Sequence, residues 1–407
     1  MRHHNTTKYL LLVGDGMADY PLPELGGKTP LEAARTDNMD RIAACRIGRV
    51  RTIPEGMEAG SDVANLSLLG YDPQVYHTGR APFEAASMGI SLRSTEVAFR
   101  MNLVTLERKS NDEIFMRTHS AGNISTKEAG RLVDALRQGT ETPDVKIYPG
   151  LAYRHLLVWE GGFEKAETIP PHDVLGRNMA PYLIRAVEKN SVQGLIRRSW
   201  DILEDHEVNI ERRKRGLKEA NSIWLWGQGR APRLPSFRDK FGLEGCVISA
   251  VDLLKGIGVY AGLKPIFVEG ATGCLDTNYD GKVKEALNCL SDLDFAFLHV
   301  EAPDEAGHAG NIMEKVQAIE AFDEKVVGAV LRGVEVFEDY RIMVASDHFT
   351  PISKKTHTAE PAPFAWARKR EIESMPAGPG FTEASARESG LTLENGHALM
   401  PLFLELA

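Results

Sequence analysis

Cysteine is scarce: Cys45, Cys246, Cys274 and Cys289 are the only four in 407 residues, and no two stand as Cys-x-x-Cys. That spacing argues against a zinc knuckle and predicts reduced structural thiols in place of disulfides. Long apolar runs are also missing, since none approaches the ~20 residues needed to span a bilayer. The opening Met1-Arg2-His3-His4-Asn5 lacks the apolar segment of a signal peptide. The expectation is a cytoplasmic protein with no membrane partner. Positive charge is in deficit, with 48 Lys and Arg against 57 Asp and Glu and a formal net charge of −9. Such a balance argues against a nucleic-acid surface. It also means that an anionic substrate must be drawn by local cations, not by the overall field. No internal repeat or heptad run is present. What is there is 43% hydrophobic content, ample for burial, in a chain longer than one compact core usually holds, so two domains are expected.

Three separated groups of hard-metal ligands each follow a short apolar run. Tyr9 to Val13 leads to Gly14-Asp15-Gly16, Phe295 to Val300 leads to Glu301 through His308, and Ile342 to Ala345 leads to Ser346-Asp347-His348, with His357 nine residues later. Each run reads as a buried strand that delivers its ligands at its carboxyl end, where open α/β sheets keep their chemistry. Asp304 and His308 are four apart, so a helical turn would put both on one face. Carboxylate oxygen and imidazole nitrogen suit Mn²⁺, Zn²⁺ or Mg²⁺.

Ser61 is the candidate nucleophile. It follows Gly60, and Val63, Leu66 and Leu69 then recur at helical spacing, which places Ser61 at or near a helix N-terminus where free N–H groups favour a phosphate. A bound metal could lower its hydroxyl pKa. Taken singly, each residue has a plainer use: Ser61 as an N-cap, Asp15 as a turn residue, His308 or His357 as an ordinary histidine. The repeated placement of hard ligands at strand ends favours the two-metal reading.

The ligands also outline the domains. Residues 1–95 and 220–407 contain all of them and form an expected discontinuous metal-binding domain, with 96–219 as an insertion. Within it, Val97 to Val104 and Arg154 to Trp159 read as strands, Thr126 to Leu136 as an amphipathic helix, and 189–218 as helical. The basic run Arg212-Arg213-Lys214-Arg215 reads as a solvated helix face. Gly227-Gln228-Gly229 lacks the third glycine of a dinucleotide fingerprint and reads as a tight turn. The stretch 371–390, rich in Gly, Pro, Ser and Glu, reads as a mobile surface loop.

These residues resemble the alkaline phosphatase superfamily and, within it, the archaeal type of cofactor-independent phosphoglycerate mutase. The resemblance rests on Asp15, Gly60 to Asn65, Asp304/His308, Asp347/His348 and His357, together with Gly79 to Ala86, Trp224 to Gly229, Ile248 to Gly258 and Asp276 to Tyr279. It implies an α/β fold, an alkaline-phosphatase-like doubly wound sheet with an inserted smaller α+β domain that binds substrate as a lid. It also implies an isomerase of glycolysis or gluconeogenesis that interconverts 3-phosphoglycerate and 2-phosphoglycerate through a phosphoserine on Ser61. Asp15, Ser61, Asp347 and His348 would hold one divalent ion, and Asp304, His308 and His357 the other. Mn²⁺ is the first expectation, with Mg²⁺, Zn²⁺ or Co²⁺ as alternatives, and no 2,3-bisphosphoglycerate is required. The partner would be a small phosphorylated substrate. Arg154, His172 and Asp173 of the insertion and Arg80 and Lys255 of the metal domain would clamp it, with His119 or Asn123 beside the migrating phosphate. Two other readings remain: a related phosphotransferase such as a homoserine kinase, and a metal-dependent sensor.

Overall fold

The computed structural model describes residues 7–184, 191–374 and 378–406. The opening Met1-to-Asn5 segment, Lys189 at the start of the expected helical stretch, and Pro376 of the Gly/Pro-rich stretch lie outside them. The chain divides into two compact units, 1–77 with 233–407, and 78–232.

The larger unit is a mixed α/β layer structure. Its strands are β1 (Thr7–Gly14), β2 (Ile47–Val50), β8 (Gly245–Ile248), β9 (Lys264–Ile266), β10 (Phe295–Val300), β11 (Asp339–Ser346), β12 (Ala362–Arg368) and β13 (Thr392–Leu393). They lie in the order β13-β2-β12-β11-β1-β10-β8-β9. The run from β11 to β9 is parallel, whereas β12 is antiparallel to both β11 and β2. The near-continuous apolar character of β1, β10 and β11 follows from burial on both faces. Leu10, Leu12, Leu298, Ile342 and Val344 share one core with Met39, Val283, Ile319 and Val326 of flanking helices. Register decides where the chemistry falls: Gly14 pairs with both Val300 and Ser346. The three candidate ligand groups therefore leave adjacent strands at one edge of the sheet.

The smaller unit is an antiparallel sheet of β3 (Glu96–Ser110), β4 (Glu113–Thr118), β5 (Val145–Tyr148), β6 (Arg154–Glu160) and β7 (Ser222–Gly229), in the order β4-β3-β6-β5 with β7 on β3. Helices Thr126–Thr140 and Val192–Leu203 pack against it. Two expectations change here. The divisions fall at 77/78 and 232/233, not at 95/96 and 219/220. The helix Arg80–Ser87 buries Ala81 and Ala85 against Ala98, Leu156 and Val158, and β7 pairs along β3 from Ala98 to Val104. Arg80 thus belongs to the smaller unit.

Four further readings are corrected. Arg212 is not a solvated charge; it is buried, donating to the carbonyls of Lys218 and Ala121 and to Glu128. Gly227 to Gly229 ends strand β7, with Gly227 at φ 60°, and does not make a tight turn. Within 371–390, Phe381 and Ala386 insert into the main core, which ties that segment down. Cys246 and Cys289 form a disulfide, because β8 and the helix Tyr279–Asp292 bring their Cα atoms to 6.6 Å. Among the described residues no helix is long and apolar enough to cross a membrane.

Candidate active site

The helix Ser61–Leu68 begins with Gly60 in the N-cap position, extended and without a side-chain cap. Ser61 is therefore the first helical residue, not the cap, and its hydroxyl is directed elsewhere: Oγ lies 3.2 Å from His348 Nε2. That nitrogen is also 3.3 Å from Asp15 Oδ1 and 3.4 Å from Asp347 Oδ2. Asp15, Asp347 and His348 are buried and form one group whose ligand atoms lie within 4.8 Å of one another; Asp304, His348 and His357 form a second. The helix Ala302–Ala309 puts Asp304 and His308 on one face, 3.2 Å apart between Oδ2 and Nε2. His357 Nε2 is 3.4 Å from Asp304 Oδ1 and 2.9 Å from His308 Nε2.

Hydrogen bonds on the far side of each ring show what these nitrogens can do. His308 Nδ1 faces the Lys355 carbonyl at 3.0 Å and His357 Nδ1 the Ala59 carbonyl at 3.4 Å. A carbonyl only accepts, so both Nδ1 atoms carry a proton, and each ring when neutral turns its Nε2 lone pair toward Asp304. Two lone pairs and a carboxylate converging in this way repel one another unless a proton or a cation lies between them. Asp15 Oδ1 is buried and accepts no hydrogen bond. The donor set fits divalent ions.

The electrostatics agree. Burial, with Asp347, Asp304 and Glu301 adding to it, raises the Asp15 carboxyl well above its ordinary range. Burial also works to raise Asp304, yet hydrogen bonds from His308 and His357 carry it well below that range. The Asp304 hydrogen bond lifts His308 to about 9. Burial takes His348 down to about 4.

Several residues around the cluster escaped the sequence reading. His299, inside the run taken as wholly apolar, is buried and donates Nε2–H to Asp15 Oδ2 at 3.0 Å, while its Nδ1 meets Ser249 Oγ at 3.2 Å. Burial holds it down at about 3, so it orients Asp15 as a neutral donor. Asn65 donates to Asp347 Oδ2 at 2.9 Å and to the Ser61 carbonyl at 2.8 Å, tying the two residues together. Asp62 pairs with His77 at 2.8 Å directly beside Ser61. The signals were present as a lone histidine in a strand and polar residues on an otherwise apolar helix.

Lys255 is buried in the first turn of the helix Asp252–Tyr260, which follows β8, and its ammonium is 2.8 Å from Asp252. The remaining clamp candidates lie in the smaller unit. His119 stands 5.8 Å from Tyr153 and 6.4 Å from His172, ring to ring, and the Arg154 guanidinium lies 5.1 Å over Tyr153. His172 Nε2 is 3.7 Å from Asp173. Arg100, not foreseen, lies 4.0 Å over Trp226, which in turn meets His172 at 5.4 Å. Burial lowers His172, Asp173 opposes this, and the positive charges of Arg100, His119 and Arg80 push the same way as burial. Arg100 is itself paired with Glu84 at 3.0 Å. Asn123 is exposed in a left-handed turn at φ 54°, apart from these ring contacts.

Sheet and cluster together define a class: α/β proteins that gather carboxylates and imidazoles at the carboxyl ends of adjacent parallel strands, in a donor set suited to divalent ions. A family model for 2,3-bisphosphoglycerate-independent phosphoglycerate mutase matches residues 43–209. A probable 2,3-bisphosphoglycerate-independent phosphoglycerate mutase of Geobacter sulfurreducens is 50% identical over 399 residues, covering 98% of this chain and 100% of the relative. The Methanosarcina barkeri enzyme of that name is 48% identical, covering 98% and 99%. Among solved structures, a Pyrococcus horikoshii protein superposes with a TM-score of 0.81 at 31% identity, covering 98% and 97%. The cofactor-independent phosphoglycerate mutase of Thermoplasma acidophilum gives 0.62 at 25% identity, covering 98% and 100%. The chain belongs to the 2,3-bisphosphoglycerate-independent phosphoglycerate mutase family, whose members are isomerases.

Proposed function

We propose that the protein interconverts 3-phosphoglycerate and 2-phosphoglycerate, a step of glycolysis and gluconeogenesis, with Ser61 as the transient phosphate carrier. The observation that carries this reading is the approach of Ser61 Oγ to His348 Nε2 within a buried set of hard ligands. Asp15, Asp347 and His348 with Ser61 would hold one divalent ion, and Asp304, His308 and His357 the other, with Mn²⁺ the first choice for oxygen and imidazole donors. When bound, such ions would supply Lewis-acid stabilisation of the charge that develops during phosphoryl transfer.

The chain's own residues do the rest. The first turn of the helix presents its N–H groups and the positive end of its dipole behind Ser61, which favours phosphate there. Ser61 Oγ gives up its proton and forms a bond to phosphorus as the bond to the 3-oxygen breaks, and one proton, equal to that lost by Ser61, goes to the departing 3-oxygen to leave glycerate with a free hydroxyl. After glycerate reorients, its 2-oxygen attacks the phosphoserine and returns the hydroxyl to Ser61, so no phosphate, proton or bisphosphoglycerate is consumed. Lys255 of the larger unit and, in the smaller, Arg80 and Arg154 are the candidate cations for charge-assisted hydrogen bonds to the carboxylate and phosphate of the substrate. Incubation of the purified protein with Mn²⁺ and 3-phosphoglycerate should yield 2-phosphoglycerate. Phosphorylation of homoserine by ATP, without mutase turnover, would overturn the assignment.

A further inference from the structure

Thr350 lies two residues beyond His348, fully buried. Its hydroxyl donates to Asp304 Oδ1 and meets His348 Nδ1 at 3.2 Å. A threonine hydroxyl has one proton, and a carboxylate can only accept it, so Nδ1 of His348 must be the donor in the second bond. That assignment leaves the Nε2 lone pair of His348 facing Asp15, Asp347 and Ser61. One hydroxyl thus orients a ligand of each candidate ion.

The surroundings are shaped to hold Thr350 where it is. Its N–H donates to the Ala18 carbonyl at 3.2 Å, and its own carbonyl accepts from Lys315 Nζ at 2.8 Å. Lys315 is a fully buried cation on the helix Ile312–Phe322, paired with Asp19 Oδ2 at 2.7 Å, and Asp19 also accepts from the Ile352 N–H at 3.1 Å. Two glycines leave the space. A Cβ on Gly16, which sits at φ 58°, would come within 2.6 Å of Asp304 Oδ1 and still nearer the Thr350 hydroxyl. A Cβ on Gly307 would come within 2.7 Å of the Thr350 carbonyl and 2.8 Å of its methyl. A buried ion pair of this kind adds little stability in itself; here it fixes a backbone carbonyl beside the site.

We propose that Thr350 is a positioning residue that couples the two ion sites, setting the tautomer of His348 and the orientation of Asp304 with a single hydroxyl. The inference rests on the two-ion reading above. Ion-depleted protein would be titrated with Mn²⁺, and the free aqueous ion followed by electron paramagnetic resonance, for wild type, Thr350→Val and Thr350→Ser. Losing an outer hydrogen-bond partner of a ligand costs about ten- to a hundredfold in metal affinity. Thr350→Val, close in shape but without the hydroxyl, should lose that much at both sites, and Thr350→Ser should stay close to wild type. Circular dichroism and thermal melting of the ion-free forms check folding; if the valine protein is unfolded, Thr350→Ala takes its place. Wild-type affinity in the folded variant, a loss confined to one site, or an equal loss in Thr350→Ser would overturn the inference and leave the two-ion reading standing. Fewer than two Mn²⁺ bound by the wild type would overturn that reading and this inference with it.

Discussion

His308 should make ion binding steeply dependent on pH. In the ion-free fold the hydrogen bond that the imidazole donates to Asp304 holds it at about 9, against an ordinary value of about 6.5. An ion at Nε2 must displace that proton. Between pH 6.5 and 9, each unit of rising pH should therefore strengthen apparent affinity at this site by up to about tenfold, and the gain should level off beyond. The side chain is 34% exposed, so solvent screening reduces the effect from that limit. His348 and His299, held at about 4 and about 3, are already neutral in this window and release nothing. The sign for the ion-free fold is opposite: a raised folded-state pKa gives stability that is complete below about pH 6.5 and is lost as pH rises through 9. Isothermal titration with Mn²⁺ at several pH values, in buffers of different ionisation enthalpy, counts the protons released. Wild type should release close to one from this ligand, and His308→Gln should release that many fewer. Equal proton release in the variant, or affinity independent of pH, would refute the argument.

Replacing Ser61 with alanine should abolish isomerisation while circular dichroism stays native, because the side chain makes no cap bond that the helix depends on; wild-type turnover in Ser61→Ala would sink the nucleophile assignment. Arg154→Ala should lower kcat/KM by about ten- to a hundredfold, the equivalent of about 1.5–3 kcal/mol for one charge-assisted contact, with ion content by elemental analysis unchanged; unaltered kinetics would remove Arg154 from the substrate contacts. Acid should destabilise the ion-free protein below about pH 6.5, because His299 and His348 stay neutral in the fold and charge on unfolding, with the raised Asp15 partly opposing them. A melting temperature that holds steady from pH 6.5 to pH 4 would contradict that account.

The ligand-bearing edge of the sheet was legible because hard residues after apolar runs carry both the strand and its end in local sequence. Ser61 was legible for a similar reason, since a glycine before helical spacing marks a helix start. His299 was lost because five apolar neighbours make β10 read as a buried strand whatever its fifth residue is. Thr350 and Lys315 acquire their roles through partners that no local pattern announces, Asp304 for the first and the distant Asp19 for the second. The boundaries were misplaced for a comparable reason: β7 could have continued the larger sheet as far as its composition goes, and only its pairing with β3 assigns it elsewhere. The Cys246–Cys289 bond depends on a strand meeting a helix 43 residues later, which spacing alone does not encode.

The smaller unit begins and ends at one place. Thr78 Oγ1 donates to the Arg230 carbonyl at 2.7 Å, and glycines 79 and 229 each lack the Cβ that would collide with the opposing strand of chain, at Gln228 and Thr78. Residues 78–232 therefore leave and rejoin the larger unit as a stalk of two adjacent strands of chain. A module with such a root is portable: excision at the stalk removes no strand from the ligand-bearing sheet. A whole insertion can therefore be exchanged while the strand ends that gather Asp15, Asp304 and Asp347 keep their sequence and their sheet.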